Sequence, residues 1–181
     1  PAVFDAVHVF LSQRDGLMLG ICNGFQALIK LGLVPFGEIR EMDARCPTLT
    51  FNKIGRHQSM LVTTRISSDL SPWFSKCPVG ECYTIPVSHG EGRFVAPQST
   101  LDSLLKTGRI AAQYVDPDGL PSMDPRYNPN GSMLAVEAIT SPDGRILGKM
   151  AHSERSGAGL YKNVCGNHYQ PLFEGGVDYF R

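Results

Sequence analysis

The sequence lacks the features that mark several large classes of protein. Its charge has no bias, because 17 Lys and Arg balance 17 Asp and Glu among 181 residues and leave a formal net charge of zero. A neutral chain offers no overall field to nucleic acid or to an anionic membrane, so we expect neither as a partner. No apolar run approaches the roughly 20 residues that a helix needs to span a bilayer, and no basic-then-apolar leader opens the chain.

Cysteine is sparse and shows no pairing motif. The chain has an odd number of cysteines and no C-x-x-C pair, which favours neither a disulfide framework nor a zinc site. We therefore expect no bound metal and a reducing compartment, most simply the cytoplasm. The cysteines are Cys22, Cys46, Cys77, Cys82 and Cys165.

No repeat, low-complexity tract or linker divides the chain. A length of 181 residues at 42% hydrophobic content is enough for one domain with its own core. We therefore expect a single domain over residues 1–181. Because the chain opens on Pro1 and not on methionine, we also expect it to be an N-terminally incomplete part of a larger enzyme.

What the sequence does have is a strand that passes straight into a helix, at residues 17–32. The apolar run at 17–21 has the length of a short buried strand, and the turn Gly20-Ile21-Cys22-Asn23-Gly24 follows it. A strand and a helix joined through a glycine-flanked turn form a nucleophile elbow, here with cysteine at its tip. The helical pattern that follows has Ala27, Leu28 and Leu31 on its expected buried face and Gly32 as its stop.

The position of Cys22 suits a nucleophile. Its sulfur would stand at the helix N-terminus, where free N–H groups and the helix dipole favour the thiolate. The backbone N–H of Asn23 can stabilise an oxyanion at the same place. The alternative is that Cys22 is simply a small buried residue, as free cysteines often are.

The remaining pattern predicts an α/β fold. Strands that alternate with helices after the elbow favour a mostly parallel sheet flanked by helices, and Ser141-Pro142-Asp143-Gly144 predicts an added antiparallel hairpin. We expect helices at 1–13, 100–106 and 169–181, and strands at 17–21, within 49–66, and at 82–87, 110–115, 133–140 and 145–150. The apolar side of the last helix should carry Leu172, Phe173, Val177 and Phe180.

A second candidate group follows the last predicted strand. On an extended segment residues i and i+2 face the same way, so His152 and Glu154 can project into one cleft. A carboxylate that accepts a proton from one ring nitrogen fixes the tautomer and leaves the other nitrogen free to act as base and acid. Alone, His152 would be read as an ordinary strand-end histidine. Together with Cys22, the pattern favours a Cys–His–Glu arrangement for nucleophilic catalysis.

These residues carry a family resemblance. Gly20-Ile21-Cys22-Asn23-Gly24-Phe25-Gln26 with His152-x-Glu154 resembles the class I, triad-type glutamine amidotransferases, which use a G-x-C-x-G-x-Q elbow and an H-x-E near the C-terminus. Within that class, three further stretches resemble the glutaminase domains of phosphoribosylformylglycinamidine synthases. They are HGEGRF at 89–94, NPNGS at 128–132 and ITSPDGR at 139–145.

The resemblance implies a flavodoxin-like fold and the hydrolysis of glutamine. Cys22 would attack the side-chain carboxamide to form a γ-glutamyl thioester, and the N–H of Asn23 would be one oxyanion donor. His152, held by Glu154, would protonate the departing ammonia and then activate water. The residues implied to contact glutamine are Gln26, His89 and Gly90, the last two in a loop at 89–94.

The resemblance also implies a partner. Ammonia would pass to a separate synthetase site, in the same polypeptide or in a synthetase subunit. There ATP, with Mg²⁺, would drive the conversion of formylglycinamide ribonucleotide to formylglycinamidine ribonucleotide in purine biosynthesis. This chain has no P-loop and no acidic cluster for magnesium-ATP, so no cofactor is expected in this domain.

One departure from the family pattern bears on activity. Family members carry a first strand and a glycine-rich loop upstream of the elbow, and that loop gives the second oxyanion donor. Only sixteen residues precede the predicted elbow strand here. We therefore expect the first strand of the fold to be missing from this chain, and residues 1–181 alone to hydrolyse glutamine poorly.

Two other classes of function stay open. A cysteine hydrolase of the same fold, cleaving γ-glutamyl or peptide bonds without an ammonia acceptor, fits the elbow and His-x-Glu equally well. It does not account for the stretches at 89–94 and 128–132. A non-catalytic interaction module would keep the fold only for docking, and the presence of all three triad residue types disfavours it.

Overall fold

The computed structural model describes residues 2–181; Pro1, where the first predicted helix opens, lies outside the described residues. The helices are α1 (Ala2–Ser12), α2 (Asn23–Lys30), α3 (Leu33–Phe36), α4 (Gln98–Lys106) and α5 (Leu172–Asp178). The strands are β1 (Met18–Ile21), β2 (Thr48–Phe51), β3 (Gln58–Ile66), β4 (Cys82–His89), β5 (Glu91–Val95), β6 (Ile110–Tyr114), β7 (Val136–Thr140) and β8 (Ile146–Lys149). Within the described part of the chain, no helix is both long enough and apolar enough to cross a bilayer.

Six strands form the main sheet, in the order β1-β8-β7-β6-β3-β4, and β2 pairs with β5 separately. The predicted α/β class and the β7–β8 hairpin are confirmed. The sheet is mixed, however, and not mostly parallel: β1 and β8 are parallel, while every other neighbouring pair is antiparallel. The reason lies in the connections, because the segments joining β3 to β4 and β6 to β7 carry only 3₁₀ turns. The crossover between parallel neighbours is usually an α-helix, and these two connections contain none.

The core occupies both faces of this sheet. One side packs against α2 and α4 and includes Phe25, Leu104 and Ile139. The other side packs against α5 and includes Tyr114 and Ala138. Ala138 and Ile139 are neighbours along β7, and they belong to opposite faces because successive side chains of a strand alternate.

The elbow forms as predicted, with a close approach that explains its glycine. A Cβ at Gly20 would come within 2.6 Å of the backbone of Gly24, so any side chain there would separate β1 from α2. The predicted buried face of α2 is largely wrong, because Ala27 is exposed and Leu31 is 40% exposed. The residues that α2 buries are Phe25, Leu28 and Ile29, at i, i+3 and i+4.

The segment at 89–94 was expected to be a loop, and that expectation is wrong. Residues 91–95 form β5, which pairs antiparallel with β2. Gly92 and Phe94 are buried while Glu91 and Arg93 are half-buried, as a two-residue period requires. The partner strand is some forty residues upstream, at 48–51, which no local pattern reveals.

The apolar side predicted for the last helix is also wrong. Leu172 is buried, but Phe173, Val177 and Phe180 are 46%, 53% and 62% exposed. The helix packs through small residues instead: a Cβ at Gly176 would lie 2.3 Å from the Trp73 ring. Helical periodicity predicts which residues share a face of the helix but not which face is buried. Contact with Trp73 buries the face that carries Gly176 and not the apolar face that was predicted.

Candidate active site

The elbow holds Cys22 in a backbone conformation that few residues other than glycine adopt. Cys22 lies between the end of β1 and the first residue of α2. Its φ of 52° and ψ of −104° are a sparsely populated combination for a residue with a side chain. Its N–H donates to the carbonyl of Lys149 at 2.8 Å, which continues the parallel pairing of β1 with β8. Its sulfur lies 3.8 Å from the carbonyl of Ser88 on β4. The strained turn therefore presents the thiol between the ends of two strands.

The thiol is not held as a thiolate. Burial raises the pKa of Cys22, and this effect exceeds the lowering by the N–H of Asn23 at the start of α2 and by the nearby Arg155. The helix N-terminus favours the thiolate as expected, but removal of water from the sulfur counts for more. The predicted thiolate is thus corrected to a thiol that must lose its proton to a base.

A base lies within the segment that follows β8. Nδ1 of His152 is 2.5 Å from Oε1 of Glu154, and the backbone N–H of His152 donates to the carbonyl of Pro86 at 2.8 Å. The segment is not extended as predicted, because Ser153–Arg155 form a 3₁₀ turn that brings the carboxylate onto the ring. Nε2 of His152 is buried and has no hydrogen-bond partner among the described residues. That nitrogen is therefore available to a reacting group.

Cys22 and His152 both lie close to the ends of β4 and β8. The N–H of Cys22 donates to the carbonyl of Lys149, three residues before His152. Near the end of β4, the sulfur of Cys22 contacts the carbonyl of Ser88 and the N–H of His152 donates to the carbonyl of Pro86. A cavity of about 320 Å³ opens beside His152, and Cys22 is not among the residues that line it. Its walls include Ser59, Met60, Pro86, Ser88, His152, Arg155 and Tyr161.

His89 contributes a second imidazole beside the first. Burial lowers its pKa to about 4, with a further lowering from His57 and His152, so it is neutral at pH 7. Its Nδ1 lies 3.1 Å from Oδ1 of Asn52, whose Nδ2 donates to the carbonyls of Arg56 and His89 itself. An amide oxygen only accepts, so Nδ1 carries the proton and Nε2 is a bare acceptor. Nε2 is buried and unpartnered among the described residues.

The other two residues implied to contact glutamine lie at the start of β5. Gln26 donates from Nε2 to the carbonyl of Glu91, so its amide links α2 to this strand. Gly90 has open space where a side chain would be, with no heavy atom within 4 Å of an added Cβ. Gly92 has no room for a side chain, because a Cβ there would lie 2.6 Å from the His89 ring. The backbone of Gly92 is thus held next to the His89 ring.

The NPNGS segment at 128–132 supports this strand from behind. Nδ2 of Asn130 donates to the carbonyl of Gly92 at 2.7 Å, and the N–H of Phe94 donates to Oγ of Ser132 at 3.0 Å. Asn128 closes the segment on itself by donating to the carbonyl of Ser132 at 2.9 Å. The segment therefore positions β5 and does not reach the thiol through these contacts.

Three residues near the site were not singled out by the sequence. Asn52 sets the tautomer of His89, and Arg155 lines the cavity and lies 3.5 Å from Glu154. Neither carries a local signal, because their partners are distant in sequence or depend on the turn. Lys149 does carry one, as the single charged residue of an otherwise apolar buried strand.

Other parts of the molecule offer less chemistry. A cavity of about 450 Å³ lies between α1 and residues 33–39, with mostly apolar walls and no cysteine. In residues 2–181, no group of three or more His, Cys, Asp or Glu side chains is arranged to hold a metal ion. The residues around Cys22, His152 and Glu154 are thus the candidate active site.

Comparison with known proteins identifies the family of this chain. A family model of the CobB/CobQ-like glutamine amidotransferase domain matches residues 1–180. The phosphoribosylformylglycinamidine synthase subunit PurQ of Moorella thermoacetica is 32% identical over 160 residues, covering 88% of this chain and 60% of its own length. The PurQ subunit of Treponema denticola is 37% identical over 166 residues, covering 84% of this chain and 60% of its own length.

A solved structure has the same fold. The structure of PurLQS from Thermotoga maritima matches with a TM-score of 0.67 at 24% identity, covering 94% of this chain and 65% of that one. The predicted flavodoxin-like arrangement of glutamine amidotransferases is supported by this match. The chain spans about three-fifths of the length of the curated relatives that it matches, at 60%, 57% and 62% for three of them.

Proposed function

This chain belongs to the CobB/CobQ-like glutamine amidotransferase domain family, and from that premise we propose that it is the glutaminase part of a phosphoribosylformylglycinamidine synthase. One observation carries the proposal. A strained elbow presents the thiol of Cys22, and the same strand ends hold an imidazole whose Nδ1 is 2.5 Å from Glu154 and whose Nε2 is free. Nucleophile, base and orienting acid are the groups that acyl transfer requires.

The first half of the reaction forms a thioester. Cys22 loses its proton to Nε2 of His152, and the sulfur attacks the carboxamide carbon of glutamine. The negative charge that develops on oxygen is stabilised by the N–H of Asn23 at the start of α2. His152 then gives its proton to the nitrogen, the C–N bond breaks, and ammonia leaves. Because burial raises the pKa of the Cys22 thiol, attack depends on proton transfer to His152.

The second half releases glutamate. Nε2 of His152 takes a proton from water, the hydroxide attacks the thioester carbon, and the thiol of Cys22 leaves with that proton. Glu154 holds the ring throughout and stabilises the imidazolium that forms twice in the cycle. The Nδ1–Oε1 contact of 2.5 Å fixes which nitrogen faces the substrate.

Recognition of glutamine is assigned to the side of β5. His89 is neutral and its Nε2 is an acceptor, so it is suited to accept a hydrogen bond from an N–H group of glutamine. The carboxylate of glutamine has no N–H to donate. Gly90 leaves room for the ligand, and Gln26 keeps the backbone of Glu91 in place beside it. A site that accepts N–H bonds here would discriminate against glutamate, which has no amide nitrogen.

The partner in this proposal is a synthetase that consumes the ammonia. It would be either another part of the same polypeptide or a separate subunit, in the cytoplasm, and it would convert formylglycinamide ribonucleotide to formylglycinamidine ribonucleotide. ATP and Mg²⁺ belong to that site and not to the residues described here. The names of the relatives, as subunits of that synthase, support this assignment.

Ammonia release tests the proposal. The full-length protein, with its synthetase, is given glutamine or a γ-glutamyl peptide, and ammonia and free glutamate are measured. We expect ammonia from glutamine and little cleavage of the peptide. Preferential cleavage of the peptide would instead identify a γ-glutamyl hydrolase, and a protein inert to both would be a docking module.

A further inference from the structure

The end of β8 carries a buried ion pair that the reaction itself does not use. The side chains of Lys149 and Glu137 are both fully buried, with Nζ of Lys149 3.3 Å from Oε1 of Glu137. Glu137 lies on β7, next to Ala138, and Ala138 is the register partner of Lys149 on β8. Exchanging a buried ion pair for apolar side chains is often neutral or stabilising. Stability is therefore a weak reason for its presence.

The contacts of the pair converge on the residue before His152. Nζ of Lys149 donates to the carbonyl of Ala151 at 2.7 Å, and Oε1 of Glu137 accepts the N–H of Ala151 at 2.8 Å. Both backbone groups of Ala151 are thus held by opposite charges. Charge-assisted bonds of this kind are stronger and more directional than neutral ones.

The same ammonium also holds the residue after His152. Nζ of Lys149 donates to Oγ of Ser153 at 2.9 Å, and that hydroxyl donates in turn to Oε1 of Gln170 at 2.5 Å. Nζ of Lys149 thus has two hydrogen-bond acceptors, Ala151 and Ser153, and an ion-pair partner in Glu137. The peptide units on either side of His152 are therefore fixed by one side chain.

Lys149 is tied to the nucleophile as well. Its carbonyl accepts the N–H of Cys22 at 2.8 Å, and its register partner on β1 is Ile21. One residue thereby contacts Cys22 through its backbone and the His152 turn through its side chain. Any tilt of that turn would change the separation of the sulfur from Nε2 of His152.

We propose that the buried Lys149–Glu137 pair is a positioning device that sets the His152 turn at a fixed distance from Cys22. The inference rests on the proposed function, because it concerns the geometry of thiol deprotonation and ammonia release. Neither residue touches the substrate in this account. A displacement of about 1 Å at a reacting group can lower the rate by about 100-fold.

The test removes both charges together, since removing one would leave the other buried and unpaired. The double variant Glu137→Gln/Lys149→Met is compared in the full-length protein with Thr140→Val. Thr140 is a matched control on the same hairpin, where its buried hydroxyl donates to the carbonyl of Ile146 at 2.9 Å. Thermal midpoint, kcat and KM for glutamine are measured for each.

We expect kcat of the double variant to fall by about 10- to 100-fold while KM changes by less than about twofold. Thr140→Val should keep the kcat of the parent even if its thermal midpoint drops. If the double variant is destabilised but turns over glutamine at the parental kcat, the pair is merely structural and the proposal is overturned.

A second variant covers failure of the first to fold. Ser153→Ala removes one acceptor of Lys149 and leaves both charges paired, and we expect kcat to fall by about three- to tenfold with KM retained. An unchanged kcat would overturn the proposal. A parent protein that releases no ammonia from glutamine would instead refute the proposed function, so the two failures are distinguishable.

Discussion

The two ends of the β7–β8 hairpin are built in opposite ways: Pro142 and Asp143 at the turn are exposed, whereas Glu137 and Lys149 at the far end are buried. At the turn end, Ser141 Oγ donates to Asp143 at 2.6 Å and accepts the N–H of Ile146 at 3.0 Å, all within six residues. At the other end, the Lys149–Glu137 pair joins two strands and fixes the backbone around His152. The buried side chain at the turn end, Ser141, is uncharged, whereas the buried side chains at the far end include the charged pair Lys149 and Glu137.

The difference separates folding from function. Local bonds at the turn set the register of the hairpin, and they need no group that is costly to bury. The far end holds a buried ion pair, a neutral histidine and a strained cysteine within one region. Features of this kind cost stability and cluster at functional sites. Substitutions at the turn should therefore affect stability, and those at the far end should affect turnover.

The largest effect should come from the nucleophile at the far end. Cys22→Ala in the full-length enzyme should lower glutamine-dependent synthesis by about 10³-fold or more, because no thioester can form. Synthesis from added ammonium salt should be retained, since the synthetase site is untouched. Comparing the two nitrogen sources makes the measurement. If both activities are lost, Cys22 has a structural role.

The buried histidine beside the site should make stability depend on pH. The pKa of His89 is lowered from 6.5 to about 4 in the folded state, so between these values the unfolded state binds more protons. The free energy of unfolding should then fall as the pH drops from 6.5 to 4, by up to about 3 kcal/mol. His89→Gln should flatten this slope in urea unfolding series, and an identical slope would contradict the assigned burial.

The orienting acid should have a smaller effect on rate than the nucleophile. In Glu154→Gln the amide can still contact Nδ1 of His152 but does not stabilise the imidazolium, so kcat should fall by about 10- to 100-fold with KM little changed. Its side chain is 38% exposed, which moderates the loss. Steady-state ammonia release measures it. Parental kcat would remove Glu154 from the site and weaken the contrast between the two ends.

The turn end should show the reverse pattern. Gly144 has φ of +77°, and a Cβ there would lie 2.1 Å from the carbonyl oxygen of Leu70. Gly144→Ala should therefore lower the free energy of unfolding by about 1–3 kcal/mol, measured by urea denaturation. The kcat of the folded protein should stay at the parental value. A loss of kcat without a loss of stability would erase the distinction between the ends.

The same contrast explains what could be read from the sequence. The turn at 141–144, the elbow at Cys22 and the His152–Glu154 pair rest on short-range chemistry, and all three were predicted at the right positions. β5 was missed because its pairing partner is distant, and the exposed Phe173 and Val177 were misassigned because α5 packs through glycines. Periodicity reports which residues share a face, and only the tertiary partner decides which face is buried.

The site shows the same limit. The sequence supplies the residue types of the triad, but the state of the Cys22 thiol depends on how much water the fold removes from it. The acceptor at His89 depends on Asn52, which lies 37 positions away. The strained φ of Cys22, by contrast, could be inferred from its flanking glycines.

Covalent labelling tests the central claim most directly. The full-length protein is treated with an electrophile that mimics glutamine, and the modified cysteine is located by peptide mass spectrometry, with excess glutamine as competitor. The account predicts modification at Cys22 alone among the five cysteines, with protection by glutamine. Labelling spread over the other cysteines, or labelling of Cys22 that glutamine does not slow, would contradict it.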